Sequence, residues 1–243
     1  MRLSSSLLNT RLADIVSADP RVTPVFDRLG FDYCCHGNRT LHEAAIDQCV
    51  PVSEVVDELV ALGPRPESAT DRPEWSNLTS LVRHIVTTHH WYVREHQPIL
   101  QGWLAKLAGR HGARHPELHE AYAVFGELSN ELLQHMTKEE NILFPYIEAL
   151  WTARELGQPA PASPFGTILN PIRAMEEEHR DAGNLLARLR MLTNGYEPPT
   201  DGCTTYRVCF AELARFEADL HQHVHLENYV LFPQAIALEG ALG

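Results

Sequence analysis

Two eleven-residue segments of the chain are nearly alike and carry side chains suited to binding a metal ion. The segments are HMTKEENILFP at 135–145 and HVHLENYVLFP at 223–233, and in both a histidine stands four residues before a glutamate. Residues four apart on an α-helix project from one face, one turn apart. His135 with Glu139, and His223 with Glu227, can therefore each offer a metal an imidazole nitrogen and carboxylate oxygens.

The repeat continues upstream of both segments. His90 precedes His135 by 45 residues, and His179 precedes His223 by 44. The repeating unit is a helical hairpin with one histidine on its first helix and His-x-x-x-Glu on its second. Two hairpins related by an approximate two-fold axis would bring six ligands together. The apolar pattern does not separate His90 from its neighbour His89, and only the spacing of the repeat favours His90.

The number of donors indicates which metal would bind. Four imidazoles and two bridging carboxylates would give each of two metals two nitrogens and two oxygens, and a solvent-derived oxo or hydroxo bridge would make about five donors. One position per metal would stay open. This set suits iron best, manganese next and zinc less well, because zinc prefers about four ligands. A single His-x-x-x-Glu is more often a surface pair, but its recurrence in matching context predicts a centre of two non-haem iron ions.

Other polar residues near these motifs have less certain roles. We expect four histidines to be exposed or to lie behind the ligands, with His225 close enough to contribute to a secondary metal site: His84, His96, His221 and His225. Three glutamates near the ligands in sequence would orient an imidazole, bind passing iron or simply be solvated: Glu140, Glu176 and Glu178.

The segment FDYCCHG, residues 31–37, holds a pair of adjacent cysteines. Adjacent Cα atoms are about 3.8 Å apart, less than the roughly 4.4–6.8 Å span of most disulfides, so a bond between Cys34 and Cys35 would be strained and easily reduced. A helix N-terminus predicted just after this loop would lower a thiol pKa. We treat the pair as candidate redox or iron-transfer thiols; the alternative is two partly buried thiols in a turn.

The helical patterns divide the chain into two parts. Residues 1–63 contain short helical patterns, each ended by proline or glycine, and Thr40 with Glu43 has capping-box spacing. Residues 64–73 have linker composition, and residues 74–243 contain four long helical patterns without period-two alternation. The sequence predicts an all-α protein, a small N-terminal helical domain followed by a four-helix bundle. Pro145 and Pro233 should kink or end their helices.

Composition excludes several partners. With 20 Lys and Arg against 32 Asp and Glu, the formal charge of -12 disfavours nucleic acid. No apolar run is long enough to span a membrane, and no signal-peptide core develops at the N-terminus, so we expect a cytoplasmic protein. Five cysteines without an export signal are expected to be thiols.

These motifs together resemble the repair-of-iron-centres family, whose members pair an N-terminal DYCC domain with a hemerythrin-like di-iron four-helix bundle. The resemblance covers nearly the whole chain and rests on FDYCCHG, TLHEAA, HIVTTHH with Arg94, HMTKEENILFP, AMEEEH with Ala182-Gly183, and HVHLENYVLFP. It favours His90 over His89. The metal ligands it implies are the six that the repeat selects: His90, His135, Glu139, His179, His223 and Glu227. One departure is His36, which follows the cysteine pair where glycine is common.

The resemblance also implies a function. Family members restore iron-sulfur clusters damaged by nitrosative or oxidative stress, which here would mean donating iron from a labile di-iron centre with Cys34 and Cys35 assisting. Damaged iron-sulfur proteins would be the partners, and nitric oxide or oxygen would be candidate ligands. Two alternatives stay open: an enzyme that reduces nitric oxide to nitrous oxide at the same site, and a sensor or carrier of nitric oxide or oxygen. The chain would act as a monomer or homodimer.

Overall fold

The computed structural model describes residues 6–63, Trp75 and residues 77–243. The predicted linker, 64–73, lies outside these residues. Within the described residues the regular elements are helices, and the one β-type pairing is an isolated bridge between Arg11 and Thr40. The predicted all-α fold is therefore confirmed, and none of the described helices combines the length and apolar character needed to cross a bilayer.

The N-terminal part consists of short helices that end where the sequence contains breakers. Gly30, at φ 70°, ends α2 in the left-handed region that glycine adopts without strain. The loop that follows carries the cysteine pair. The elements are α1 (Leu12–Ala18), a 3₁₀ turn (Pro20–Val22), α2 (Thr23–Leu29), α3 (Leu41–Asp47) and α4 (Val52–Ala61).

The capping box at the start of α3 is formed in full. The Thr40 hydroxyl accepts a hydrogen bond from the Glu43 amide at 3.2 Å, and the Thr40 amide donates to the Glu43 carboxylate at 2.8 Å. Thr40→Ala removes one of these two bonds, and we expect it to lower the free energy of unfolding by about 1 kcal/mol. Thermal unfolding of the metal-free protein measures the effect. A midpoint equal to that of the unchanged protein would contradict this prediction.

Four long helices form the bundle, and three of them contain a π-helical turn. The first bundle helix is α5 (Leu78–His84), a π turn (Ile85–His90) and α6 (Trp91–His111). The second is α7 (Glu117–Lys138), a π turn (Glu139–Leu143) and α8 (Phe144–Glu155). The third is α9 (Leu169–Leu192). The fourth is α10 (Thr204–Leu226), a π turn (Glu227–Leu231) and α11 (Phe232–Leu242).

Each π turn lies at a predicted metal ligand. His90 ends the first turn, Glu139 begins the second, and Glu227 begins the third. Pro145 and Pro233 follow the second and third turns within the first two positions of the resumed α-helix. Of the two outcomes expected for these prolines, an end of the helix does not occur, because a proline is tolerated where the i→i−4 bonding pattern is already interrupted.

Two apolar cores pack the molecule, one on each side of the predicted ligands. Along the second bundle helix, Leu132 and Met136 belong to one core and Leu143 to the other. The first core continues without interruption into the N-terminal helices, where it includes Phe26 and Leu41. The polar ligands therefore occupy a layer held between two apolar layers, and the N-terminal part packs on the bundle as part of one core.

Contacts with the N-terminal part also place two of the extra histidines. His221 Nδ1 lies 2.8 Å from Asp27 Oδ1, and His225 Nε2 lies 3.2 Å from the Ser17 hydroxyl. His225 is only 4% exposed and, among the described residues, joins none of the candidate metal clusters. Of the two alternatives expected for His225, exposure is wrong, because Ser17 of α1 and Tyr33 of the cysteine loop contact its ring.

Candidate metal centre

The six predicted ligands meet in the polar layer between the two cores. His90 Nε2 lies 3.1 Å from His223 Nε2, and His179 Nε2 lies 3.0 Å from His135 Nε2. All six side chains are buried: His90, His135, Glu139, His179, His223 and Glu227. Close approach of imidazole nitrogens to each other and to carboxylates is the arrangement that a bound cation would stabilise.

The six residues form two overlapping clusters. One consists of His90, His223 and the two glutamates, and the other of His135, His179 and the same two glutamates. In each cluster the ligand atoms all lie within 4.8 Å of one another. Glu227 Oε1 is 2.9 Å from His223 Nε2, and its Oε2 is 3.1 Å from His179 Nε2. One carboxylate thus faces both clusters, as a bridging ligand must.

Hydrogen bonding within the protein leaves several atoms of this layer without partners. Among the described residues, both oxygens of Glu139, Oε2 of Glu227 and Nδ1 of His223 are buried without a well-formed hydrogen bond. Burying a carboxylate oxygen without a partner is costly. Positive charge between these two fully buried carboxylates would offset that cost, and the donor set is a metal-binding site.

In the metal-free site, protons on His90 and His135 supply the positive charge that a bound cation would otherwise provide. Burial alone lowers the pKa of His90, but Glu139 and Glu227 outweigh it and raise the pKa to about 9. Burial also lowers the pKa of His135, but nearby carboxylates, Glu139 first among them, outweigh it and raise the pKa to about 10. Burial raises the pKa of Glu227, yet the surrounding imidazoles bring it well below its usual range. Metal binding must therefore release protons from imidazoles.

Three of the four imidazoles are oriented through their second nitrogen. His90 Nδ1 lies 2.6 Å from Glu140 Oε1, which Arg94 also contacts, and His135 Nδ1 lies 2.9 Å from Glu178 Oε2. His179 Nδ1 lies 2.9 Å from the side-chain oxygen of Asn228. Such partners fix the tautomer and ring orientation of a ligand histidine.

His89, the alternative to His90, takes no part in either cluster. Its Nδ1 lies 3.0 Å from Asp219 Oδ1, and its ring stacks on that of His223 with the ring centroids 5.7 Å apart. The structure therefore places His89 beside the candidate site rather than in it. Glu176 lines a polar cavity at the surface of the cysteine loop and contacts no imidazole of the site.

Removing a carboxylate that orients an imidazole should weaken metal binding without abolishing it. We expect Glu140→Gln and Glu178→Gln each to reduce metal affinity by about 10- to 100-fold. Competition with a chelator of known affinity measures the loss. Glu176→Gln is the matched control, and an affinity equal in all three variants would contradict the assignment of Glu140 and Glu178.

Comparison with known proteins agrees with this geometry. Residues 81–235 match the Hemerythrin HHE cation binding domain, and residues 8–63 match a Domain of Unknown function (DUF542). The chain is 35% identical over 225 residues to the iron-sulfur cluster repair protein YtfE of Pectobacterium atrosepticum, covering 93% of this chain and 96% of that protein. The chain belongs to the iron-sulfur cluster repair family. The iron-sulfur cluster repair protein ScdA of Staphylococcus haemolyticus is 29% identical over 221 residues, 91% of this chain and 95% of that protein.

The cysteine pair of this family member lies against the metal layer. Cys35 Sγ is 3.5 Å from the main-chain oxygen of His179, and the two sulfurs are 3.8 Å apart. All five cysteines are free thiols. Cys34 is buried, and the neighbouring thiol together with burial raises its pKa well above the usual range. The expectation that a helix N-terminus lowers a thiol pKa here is wrong for Cys34.

Asp32 organises the cysteine loop. Its Oδ1 accepts a hydrogen bond from the Cys35 amide at 2.8 Å, and its Oδ2 lies 2.6 Å from His36 Nδ1. Asp32, Cys34 and Cys35 also form a third group whose ligand atoms lie within 4.8 Å of one another. Sequence reasoning missed Asp32, although its place two residues before the pair was a usable signal.

Proposed function

We propose that this protein repairs damaged iron-sulfur clusters by delivering iron from a dinuclear non-haem centre. The observation that carries the proposal is the pair of clusters that share Glu139 and Glu227 at the centre of a hemerythrin-type bundle. The names of the relatives support repair as the activity. Damaged iron-sulfur proteins are then the partners, and iron is the cargo.

The donor set supports iron as the metal. Each cluster offers two imidazoles and two carboxylates, a mixed nitrogen and oxygen set that suits ferrous iron and would leave coordination positions for further ligands. When bound, the metal pair supplies exchangeable iron and, in the alternative below, a site for small ligands. The protein's own groups hold the imidazoles through Glu140, Glu178 and Asn228 and keep the layer between two apolar cores.

A cavity of about 190 Å³ supports exchange between the centre and solvent. It reaches three of the candidate ligands, His135, His179 and His223. Its lining also includes three carboxylates and one cation: Glu131, Glu178, Asp181 and Lys138. A path lined by carboxylates attracts cations, so it serves entry and exit of iron. In this proposal Cys34 and Cys35, with Asp32, receive iron or electrons beside the centre. Their state as free thiols supports a reducing compartment, which we propose is the cytoplasm.

The test is repair of a dehydratase whose iron-sulfur cluster has been damaged by nitric oxide. We expect the anaerobic iron-loaded protein to restore dehydratase activity. The amount of iron that it transfers to the dehydratase should be proportional to the activity restored. Metal-free protein and Glu139→Ala are the controls and should restore little. Equal repair by the metal-free protein would overturn iron donation, since the metal would then not be the material transferred.

A second candidate function follows from the same cavity. A space of about 190 Å³ that ends on three imidazoles of both clusters admits diatomic molecules. The protein would then reduce nitric oxide to nitrous oxide, or bind nitric oxide or oxygen reversibly. Headspace analysis of the iron-loaded protein, supplied with nitric oxide and an excess of chemical reductant as the electron source, tests the reductase: several turnovers of nitrous oxide per chain support it, and none removes it.

A further inference from the structure

In the two halves of the metal centre, equivalent residues of the π turns support a ligand histidine with different chemical groups. Glu139 and Glu227 begin equivalent π turns, and the residue after each one contacts the histidine on the preceding bundle helix. Glu140 contacts His90, whereas Asn228 contacts His179. A carboxylate therefore contacts Nδ1 of the ligand histidine in one half, and a side-chain amide does so in the other.

A second contact of Asn228 explains the difference. Its side-chain nitrogen donates a hydrogen bond to the main-chain oxygen of Cys34 at 2.9 Å, while its side-chain oxygen lies 2.9 Å from His179 Nδ1. An ionised carboxylate has no donor and would repel that carbonyl oxygen. Only an amide can hold the imidazole and the cysteine loop together in this geometry.

Both members of the cysteine pair thus reach the same candidate ligand. Cys34 does so through Asn228, and Cys35 does so directly, because its sulfur lies 3.5 Å from the His179 main-chain oxygen. The loop also has little room to shift as a whole. A Cβ at Gly37 would lie 2.3 Å from the Tyr33 main-chain oxygen and 3.0 Å from the Tyr229 ring, in the same π turn as Asn228.

We propose that Asn228 is a positioning residue through which the redox state of Cys34 and Cys35 sets how tightly the metal ion at His135 and His179 is held. Reduced thiols leave the Cys34 carbonyl in place and the metal retained. A disulfide between the two cysteines withdraws that carbonyl, loosens Asn228 and His179, and speeds release of this metal. The proposal rests on the proposed iron delivery and makes delivery responsive to oxidants.

The covalent step follows from the position of the carbonyl that Asn228 contacts. It belongs to the peptide unit that joins Cys34 to Cys35, and this unit becomes part of the ring closed by a disulfide. Adjacent Cα atoms are about 3.8 Å apart across a trans peptide, less than the roughly 4.4–6.8 Å of most disulfides, so we expect ring closure to turn that peptide unit. Ring closure therefore acts directly on the hydrogen bond to Asn228.

The oxidant in this proposal is a low-molecular-weight disulfide. The sulfur of Cys35, the more exposed of the two, attacks it, forms a mixed disulfide and expels one thiol. The sulfur of Cys34 then attacks the Cys35 sulfur and expels the second thiol. In balance, two protein thiols and one small disulfide give one protein disulfide and two small thiols.

The experiment measures how fast a chelator removes iron from the anaerobic loaded protein before and after treatment with oxidised glutathione. We expect oxidation to speed loss of one of the two irons by about 10-fold or more, as for removal of a residue that supports a ligand histidine. Mass spectrometry before and after confirms the disulfide. Cys35→Ser cannot form the disulfide, so treatment with oxidised glutathione should not change its rate of iron release.

Asn228→Asp separates this coupling from a merely structural role. It keeps an acceptor for His179 and loses the donor to Cys34, so one iron should leave quickly whether the cysteines are reduced or oxidised. Equal release rates for reduced and oxidised unchanged protein would overturn the proposal. If Asn228→Asp does not fold, the comparison of unchanged protein with Cys35→Ser decides alone. The chelator assay contains no iron-sulfur protein. Its outcome is therefore independent of whether the protein repairs a damaged dehydratase.

Discussion

Glu139→Ala is expected to empty both metal positions, whereas His135→Ala should empty only one. Glu139 belongs to both clusters and is fully buried, so its loss removes a donor from each ion at once. His135 belongs to only one cluster, the one that contains His179. Metal analysis of anaerobically purified protein should therefore give about two irons per chain for the unchanged protein, about one for His135→Ala and well below one for Glu139→Ala.

His89→Ala is the matched control for this series. His89 is a buried histidine next to His90 and stacks on His223, but it belongs to neither cluster. Its replacement should leave about two irons per chain. The visible spectrum of the oxidised protein provides a second readout, since loss of either iron would remove the absorption band expected of an oxo-bridged pair. Retention of both irons by Glu139→Ala would refute the bridging role, and zinc held equally by all variants would refute iron.

The candidate ligands were predictable because the chain repeats itself. A helical face fixes the relation of His135 to Glu139, and the repeat of the hairpin then selects the partner histidine on the preceding helix. Position within the repeat also distinguishes His90 from His89, a distinction that apolar periodicity does not make. The structure brings the predicted residues together for the same reason: two similar hairpins present the same face to a shared axis.

The π turns and the contact between the two parts of the chain were not predictable in this way. A π turn has no residue signature of its own, and its energy is decided by packing in the layer that surrounds Glu139 and Glu227. The bond between Asn228 and Cys34 joins residues 194 positions apart, and no periodicity relates them. Burial of His225 depends on the same docking, so the sequence of the fourth helix alone could not decide between an exposed position and one behind the ligands.

The stability of the metal-free protein should depend on pH in a way that reports the charges of this site. The pKa of His90 is raised to about 9 and that of His135 to about 10, compared with 6.5 in the unfolded chain. A raised histidine pKa stabilises the fold fully below pH 6.5, and this stabilisation is lost as pH rises towards 10. Glu178 affects stability in the opposite direction. The hydrogen bond from His135 is the chief reason that the pKa of Glu178 falls to about 2, so its contribution to the stability of the fold is lost as pH falls below 4.5.

Burial lowers the pKa of His225 to about 4, so its contribution to stability is lost as pH falls below 6.5. Metal-free protein should therefore be most stable near pH 6.5 and should lose roughly a few kcal/mol between pH 6.5 and 10. Urea unfolding across this range measures the change. In the iron-loaded protein the imidazoles are already neutral ligands, so the alkaline decline should be much smaller. Glu139→Gln is the matched control, because Glu139 is a principal cause of both raised pKa values and its loss should flatten the decline. A metal-free protein that becomes more stable from pH 6.5 to 9 would show that protons do not replace the cations in this layer.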